Sequence, residues 1–347
     1  MSGERVLVTG GSGFLGAHTI AQLLGSSYEV RTTVRSTARA DDVRAMLGRA
    51  GADGDRSLSF HLADLSRDDG WTDAVAGCRY VLHIAAPVRR RGADEDDPIG
   101  IARAGTLRVL RAAREARVSR VVMTSSFAAV GYRGPGRGQS FDESDWTDPD
   151  ADVPVHVKSK VLAERAAWDF IADGGGGPEL SVINPASIFG PVLGREATAA
   201  VNMIERLLAG VMPVTPKLYY SVVDVRDVAD LHLRAMTHPN GAGERFIASS
   251  GDPLSLHEIA LILRAHLGAE ARGVPTRVLP NWLMRLTARR AESLKPLVPD
   301  LGRIRRSRQR EGESDPRLGA AFRARDDPRH RRQLDRPWAG GPMVSGR

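Results

Sequence analysis

Along the first 190 residues, short blocks of consecutive apolar residues alternate with stretches of helical periodicity. The blocks RVLVT (5–9), YEVRTTVR (28–35), SLSFHLADL (57–65), RYVLHIAAP (79–87), RVVMTSS (120–126) and LSVINPASIFG (180–190) read as strands. Between them, FLGAHTIAQLL (14–24), 41–50, WTDAVAG (71–77), 99–116 and 155–172 carry apolar positions at helical spacing. Strands that are apolar on both faces, each followed by a helix, predict an α/β fold: a doubly wound parallel sheet covered on both sides. GGGG at 174–177 reads as a flexible connection from helix to strand. Beyond residue 190 the alternation weakens. Helices are expected at 197–209, 227–237 and 255–267, with one strand at 219–225. DVAD (227–230) has the form of a helix start with a capping box. The pattern divides the chain into a sheet domain (1–190), a smaller C-terminal substrate-binding region (191–305) and a tail (306–347). In the tail no apolar periodicity survives, and disorder is expected.

Charge sharpens this division. Of 49 basic and 42 acidic residues, 13 and 6 lie in 303–347, which leaves 36 of each sign for the body. The net charge of +7 therefore belongs to the tail, and a nucleic-acid-binding face on the body is not expected. No apolar run approaches the roughly 20 residues of a membrane span. MSGERVLVTGG enters its first strand with no room for a signal peptide, and the single Cys78 suits a reducing compartment. Both point to the cytoplasm.

The first strand runs directly into Thr9-Gly10-Gly11-Ser12-Gly13-Phe14-Leu15-Gly16. Two registers fit: Gly10, Gly13 and Gly16, or Gly11, Gly13 and Gly16. Either one, between a strand and a helix at the head of a βαβ unit, is a dinucleotide-binding signature. Glycines let the backbone approach a pyrophosphate, and the helix N-terminus offers free N–H groups to it. The second strand ends Thr33-Val34-Arg35 with no acid until Asp41. A guanidinium there pairs with a ribose 2′-phosphate, so NADP(H) is favoured over NAD(H), with Arg39 and Arg44 in reach to assist. Asp64, ending the third strand, is placed either to meet the adenine edge or to cap its loop.

Together with VLVTGGSGFLG (6–16), the segments ADL (63–65), HIAAP (83–87), TSS (124–126), SKVLAERAAW (159–168), INPASIFGP (183–191) and VVDVRDVADLHLRAM (222–236) resemble an extended short-chain dehydrogenase/reductase. The similarity spans about residues 4–305 and is closest to the dihydroflavonol-4-reductase-like branch of the epimerase/dehydratase superfamily. The resemblance implies a Rossmann-type sheet. It implies a cofactor cleft formed by Gly10, Gly13, Phe14, Leu15, Gly16, Arg35, Asp64, Leu65, Ala85, Ala86, Lys160, Pro185 and Ser187, with Asn184 and Ala186 in the same loop. It also implies a Ser–Tyr–Lys set: a serine that polarises a carbonyl, a tyrosine that protonates the developing alkoxide, and a lysine that binds the nicotinamide ribose and lowers the tyrosine pKa. Ser126 matches the serine, with Ser125 the alternative, and Lys160 matches the lysine.

The tyrosine position holds His156, one helical turn before Lys160. An imidazole reaches less far than a phenol, and the neighbouring lysine cation is expected to lower its pKa. Three readings follow: a substitute acid, replacement by another donor or a water, or a dead site. The implied activity is reduction of an aldehyde or ketone on a small organic substrate by a monomer or homodimer. Sugar epimerase/dehydratase chemistry and non-catalytic NADP(H) binding are the alternatives. After Arg306 the expected Asn/Lys helix and LGW-x-P segment are missing, which a reading-frame shift near residue 307 explains. His61, His83, His232 and His238 lack metal-ligand spacing, GxSxG is absent around the serines, and RRRGADEDD (89–97) reads as a mixed-charge loop.

Overall fold

The computed structural model describes residues 3–52, 57–87, 97–132, 140–194 and 198–308. Its elements begin with β1 (Arg5–Thr9), α1 (Phe14–Gly25), β2 (Glu29–Val34), α2 (Ala38–Arg49), β3 (Leu58–Leu62) and α3 (Trp71–Val75). They continue through β4 (Tyr80–His83), α4 (Pro98–Glu115), β5 (Arg120–Thr124), β6 (Ser140–Phe141), α5 (Val155–Ala172), β7 (Glu179–Pro185) and β8 (Ser187–Phe189). The second half contributes α6 (Ala199–Leu208), β9 (Thr215–Pro216), β10 (Tyr219–Asp224), α7 (Val225–Thr237), β11 (Arg245–Ala248) and β12 (Ser250–Ser255). Last come α8 (Leu256–Leu267), β13 (Val278–Leu279), α9 (Asn281–Ala288) and β14 (Arg306–Ser307).

Seven strands form one parallel sheet in the order β11-β7-β5-β4-β1-β2-β3. Strand order reverses between β1 and β4, where an open α/β sheet leaves a crevice at the strand C-termini. Each face carries its own apolar layer, as the two-sided apolar strands require. Ile20, Leu23, Val43, Leu47, Leu231 and Met236 bring α1, α2 and α7 against one face. Trp71, Ala74, Val109, Leu110, Ala163 and Ala167 bring α3, α4 and α5 against the other. A small sheet of β12, β10 and β8 carries the second half, with Leu207, Leu256, Ile259 and Ala260 packed beneath it.

Several boundaries differ from the sequence pattern. The run 180–190 is two strands, not one. Pro185 closes β7, Ala186 donates its N–H to the Ala248 carbonyl, and Ser187–Phe189 then pairs with Val222–Asp224 in the small sheet. The third, fourth and fifth strands stop two to four residues early, because their last residues peel off as loops around the crevice. Helix α7 starts at Asp224, whose carboxylate accepts from the Arg226 N–H, rather than at the expected box over 227–230. The capping box lies instead at Ser255 and Glu258. The division at residue 190 does not follow the sheet, since β11 and α7 belong to the large sheet and its cover. Arg306–Ser307, assigned to the tail, pairs with Ser140–Phe141. The remainder of that tail, 309–347, and most of the 89–97 loop lie outside the described residues.

Candidate active site

The crevice holds a cavity of about 510 Å³ floored by the glycine loop. Gly10 has φ +75°, and a Cβ there would lie 2.9 Å from the Ala85 Cα. A Cβ on Gly16 would lie 2.3 Å from the Gly10 carbonyl oxygen, so helix and strand meet only because both side chains are missing. Gly11 turns away from the crevice: its Cβ would collide with Thr32 and Ile20 in the core. The register facing the cavity is therefore Gly10, Gly13 and Gly16, with Gly11 a packing residue. Gly13 caps α1 without a side-chain hydrogen bond, so the helix start presents its dipole and N–H groups to the cavity. Extended bare backbone at a helix N-terminus fits a dinucleotide pyrophosphate.

Phe14, Leu15, Asp64, Leu65, Ala85, Ala86 and Pro185 line the same cavity, and Arg35 stands at its far end. Arg39 and Arg44, the expected assistants, pair with Asp42 and Asp41 on their own helix. Arg35 is exposed and has no ion-pair partner among the described residues. Asp64 serves its loop, accepting from the Ser66 N–H and hydroxyl. Ser187 is the exception: Ile188 lines the cavity in its place. Neighbouring residues of a strand face opposite ways, and β8 has already turned into the small sheet.

At the other end, β5 delivers Thr124, Ser125 and Ser126 beside Lys160 of α5. The two serines part company here. Both border the cavity, but Ser125 is buried and donates to the Glu164 carboxylate, whereas Ser126 is only partly buried and accepts from the Ala128 N–H at 3.1 Å. Lys160 donates to the Thr124 carbonyl at 3.3 Å. Burial brings its pKa down to about 8, against the pull of Glu164 one turn further along α5.

His156 is one turn before Lys160 but borders a neighbouring cavity of about 460 Å³, which shares Leu65, Ala85, Ala86, Pro87, Thr124 and Lys160 with the first. Its ring stands edge-on to Tyr132, centroids 6.3 Å apart. Its pKa lies below the ordinary value because of partial burial, with Asp300 pulling upward. The lowering arises from desolvation, not from the lysine neighbour the sequence suggested. Two histidines nearby are structural. His83 is enclosed by Thr9 and Thr106. His232 donates from Nδ1 to the Val228 carbonyl and accepts at Nε2 from the Thr124 hydroxyl at 2.7 Å. Among the described residues no three His, Cys, Asp or Glu side chains converge on a metal position, and no helix is long and apolar enough to cross a membrane.

Residues 6–249 match the model of the family described as NAD dependent epimerase/dehydratase. The chain belongs to this family. Its relatives in the family include extended short-chain reductases. It is 35% identical over 255 residues to cinnamoyl-CoA reductase 1 of Petunia hybrida, covering 72% of this chain and 74% of the relative. It is 32% identical over 273 residues to dihydroflavonol 4-reductase of Zea mays, covering 75% and 73%. Among solved structures, Gre2 from Candida albicans in complex with NADPH superposes with a TM-score of 0.70 at 25% identity, covering 92% of this chain and 93% of that one. The fold is thus the Rossmann-type sheet of oxidoreductases in this epimerase/dehydratase family.

Sequence reasoning missed Glu164, Arg245, Tyr132 and Asp300 around the site. Only Glu164 had a legible signal, its four-residue spacing from Lys160.

Proposed function

We propose that the protein reduces an aldehyde or ketone on a small organic substrate with NADPH. One observation carries this reading: the glycine-floored cleft has Arg35, without an ion-pair partner among the described residues, at one end and Ser126 with Lys160 at the other. The residues that would hold the cofactor are the α1 N-terminus for the pyrophosphate, Arg35 for a 2′-phosphate, and Lys160 and Pro185 at the nicotinamide end. When bound, NADPH supplies a hydride to the carbonyl carbon. The Ser126 hydroxyl donates a hydrogen bond to the carbonyl oxygen and polarises it. The Lys160 ammonium holds ribose hydroxyls and adds positive charge beside the developing alkoxide.

The proton is the unusual step. His156 delivers it as imidazolium, becoming neutral imidazole. Because its pKa is below 6.5, that form is scarce at neutral pH and increases as pH falls. The placement of its ring in the adjoining cavity favours a second reading, in which NADPH binds well and turnover is slow.

One experiment tests both readings. NADPH and NADH are titrated by nicotinamide fluorescence, and a panel of aldehydes and ketones is assayed with the natural protein and His156→Tyr. The expected result is tighter binding of NADPH than NADH, slow turnover that rises below pH 6.5, and at pH 7 a gain of about tenfold or more with tyrosine. Binding of neither nucleotide would overturn the proposal.

A further inference from the structure

Behind the cleft lies a buried ion pair that no sequence motif announced. The Glu164 side chain has 0% exposure and its Arg245 partner 9%, with Arg245 Nε donating to Glu164 Oε1 at 2.7 Å. The other carboxylate oxygen accepts from the Ser125 hydroxyl and from Asn184 Nδ2 at 2.9 Å. The same Asn184 amide donates to the Ser126 carbonyl at 3.2 Å. Arg245 is held in turn: Nη1 donates to the carbonyls of Glu143 and Asp145, and the guanidinium stacks 3.8 Å above the Trp146 ring centroid. Edge strand β11, strand β7, the β5 end and the catalytic helix thus converge on one carboxylate. That carboxylate is one helical turn from Lys160.

Removing two charges from water is expensive, and a fold that needed only packing here would be as well served by apolar groups of the same volume. A pair kept at that cost points to a role that packing alone does not fill. We propose that Glu164 is a positioning residue of the reductase site, fixed by Arg245, that pins the Ser125–Ser126 strand end and supplies the counter-charge that keeps Lys160 an ammonium. This inference deepens the reductase reading and rests on it. Among the described residues, the groups facing Lys160 are few: His83 from β4, the Thr124 carbonyl from β5 with His232 of α7 behind it, and His156 from the preceding turn of α5. His83 and His232 are buried with pKa values brought down by desolvation to about 3 and about 4, so both are neutral. Among the described residues, Glu164 is the one charge that favours the protonated lysine.

The chain has four lysines, at 158, 160, 217 and 295, so the Lys160 ammonium can be followed directly by NMR with isotope-labelled lysine, its signal assigned through Lys→Arg changes at the other three. Removing the carboxylate in Glu164→Gln should lower the Lys160 titration midpoint by about one pH unit. Glu164→Asp, which keeps the charge, should leave it close to the natural value. Because Glu164→Gln strands a buried guanidinium, the double variant Glu164→Gln/Arg245→Met is measured in parallel, and either folded protein decides. In the active enzyme, loss of the carboxylate should also move the basic limb of kcat/KM to lower pH, whereas a purely structural defect would depress the rate equally at every pH. An unshifted Lys160 midpoint in a folded variant lacking the carboxylate overturns the inference. The titration needs no cofactor, so this outcome is separate from failure of the reductase reading, which would appear as a natural protein that binds no NADPH.

Discussion

Gly13 and Gly16 are equivalent letters in the sequence and opposite cases in the fold. At Gly16 a methyl group would meet the Gly10 carbonyl oxygen at 2.3 Å, and neither backbone can yield. At Gly13 the nearest atom to a new Cβ is that same oxygen at 3.2 Å, φ is −85°, and the remaining space is the cleft itself. Gly13→Ala should therefore fold with a nearly unchanged Tm yet bind NADPH at least about tenfold more weakly, because the methyl occupies the pyrophosphate floor. Gly16→Ala should lose about 1–3 kcal/mol of stability from overpacking as well. Thermal unfolding beside fluorescence titration separates the two, and normal NADPH binding by Gly13→Ala would refute the floor assignment. The loop was legible in the sequence because its function lies in missing side chains. The choice between Ser125 and Ser126 was not, since alternation lets either one face the cleft until the partner is known. Glu164 was legible only as a residue one turn from Lys160; its bond to Ser125 became visible only with the fold, as did Arg245 from a strand far along the chain.

The elements carrying buried histidines contribute to how the fold responds to acid. His232 in α7 and His83 at the end of β4 are both buried and neutral, with pKa values of about 4 and about 3 against 6.5 in the unfolded chain. Between those folded values and 6.5 the unfolded chain binds more protons, so stability is full above pH 6.5 and declines as pH falls through that window. From pH 7.5 to pH 5 the decline should reach about 2 kcal/mol for each histidine. His232→Leu, which strands the Thr124 hydroxyl, should cost about 1–3 kcal/mol at pH 7.5. It should also make unfolding by urea less sensitive to acid than in the natural protein. An undiminished acid slope would assign the effect to other groups. Strand β4, which carries His83, and β5, to which His232 bonds through Thr124, were legible as apolar blocks. RFIA (245–248) was too short to stand out, and SGDPLS (250–255) contains glycine and proline and pairs through its backbone rather than its side chains. The break at Ala186 left only Pro185 as a mark, because both halves of 180–190 are rich in apolar residues and differ in their pairing partners.

At the scale of the whole molecule, residues 300–308 strap the second half onto the start of α5. Asp300 accepts from the Tyr132 hydroxyl at 3.0 Å, and Arg305 lies 4.6 Å above the Tyr132 ring while pairing with Asp300. Leu301 packs with Leu218 and Met284, Gly302 donates to the Lys217 carbonyl at 2.7 Å, and Arg306–Ser307 adds a strand to Ser140–Phe141. Tyr132 is the ring against which His156 rests. A chain ending at Val298 removes all of this, and a chain ending at Arg308 keeps it. The shorter chain should unfold roughly 5–10 °C lower, and its kcat/KM should fall because His156 loses the Tyr132 ring as a fixed neighbour and Asp300 as a counter-charge. Affinity for NADPH should hardly change, since every described residue lining the glycine cleft precedes position 199. Comparing the two truncations by calorimetry, fluorescence titration and steady-state assay distinguishes a strap acting on the catalytic helix from a passive terminal segment. Equal Tm and equal kcat/KM in the two chains would make the segment passive, and a parallel loss of NADPH affinity would place its effect on the large sheet instead.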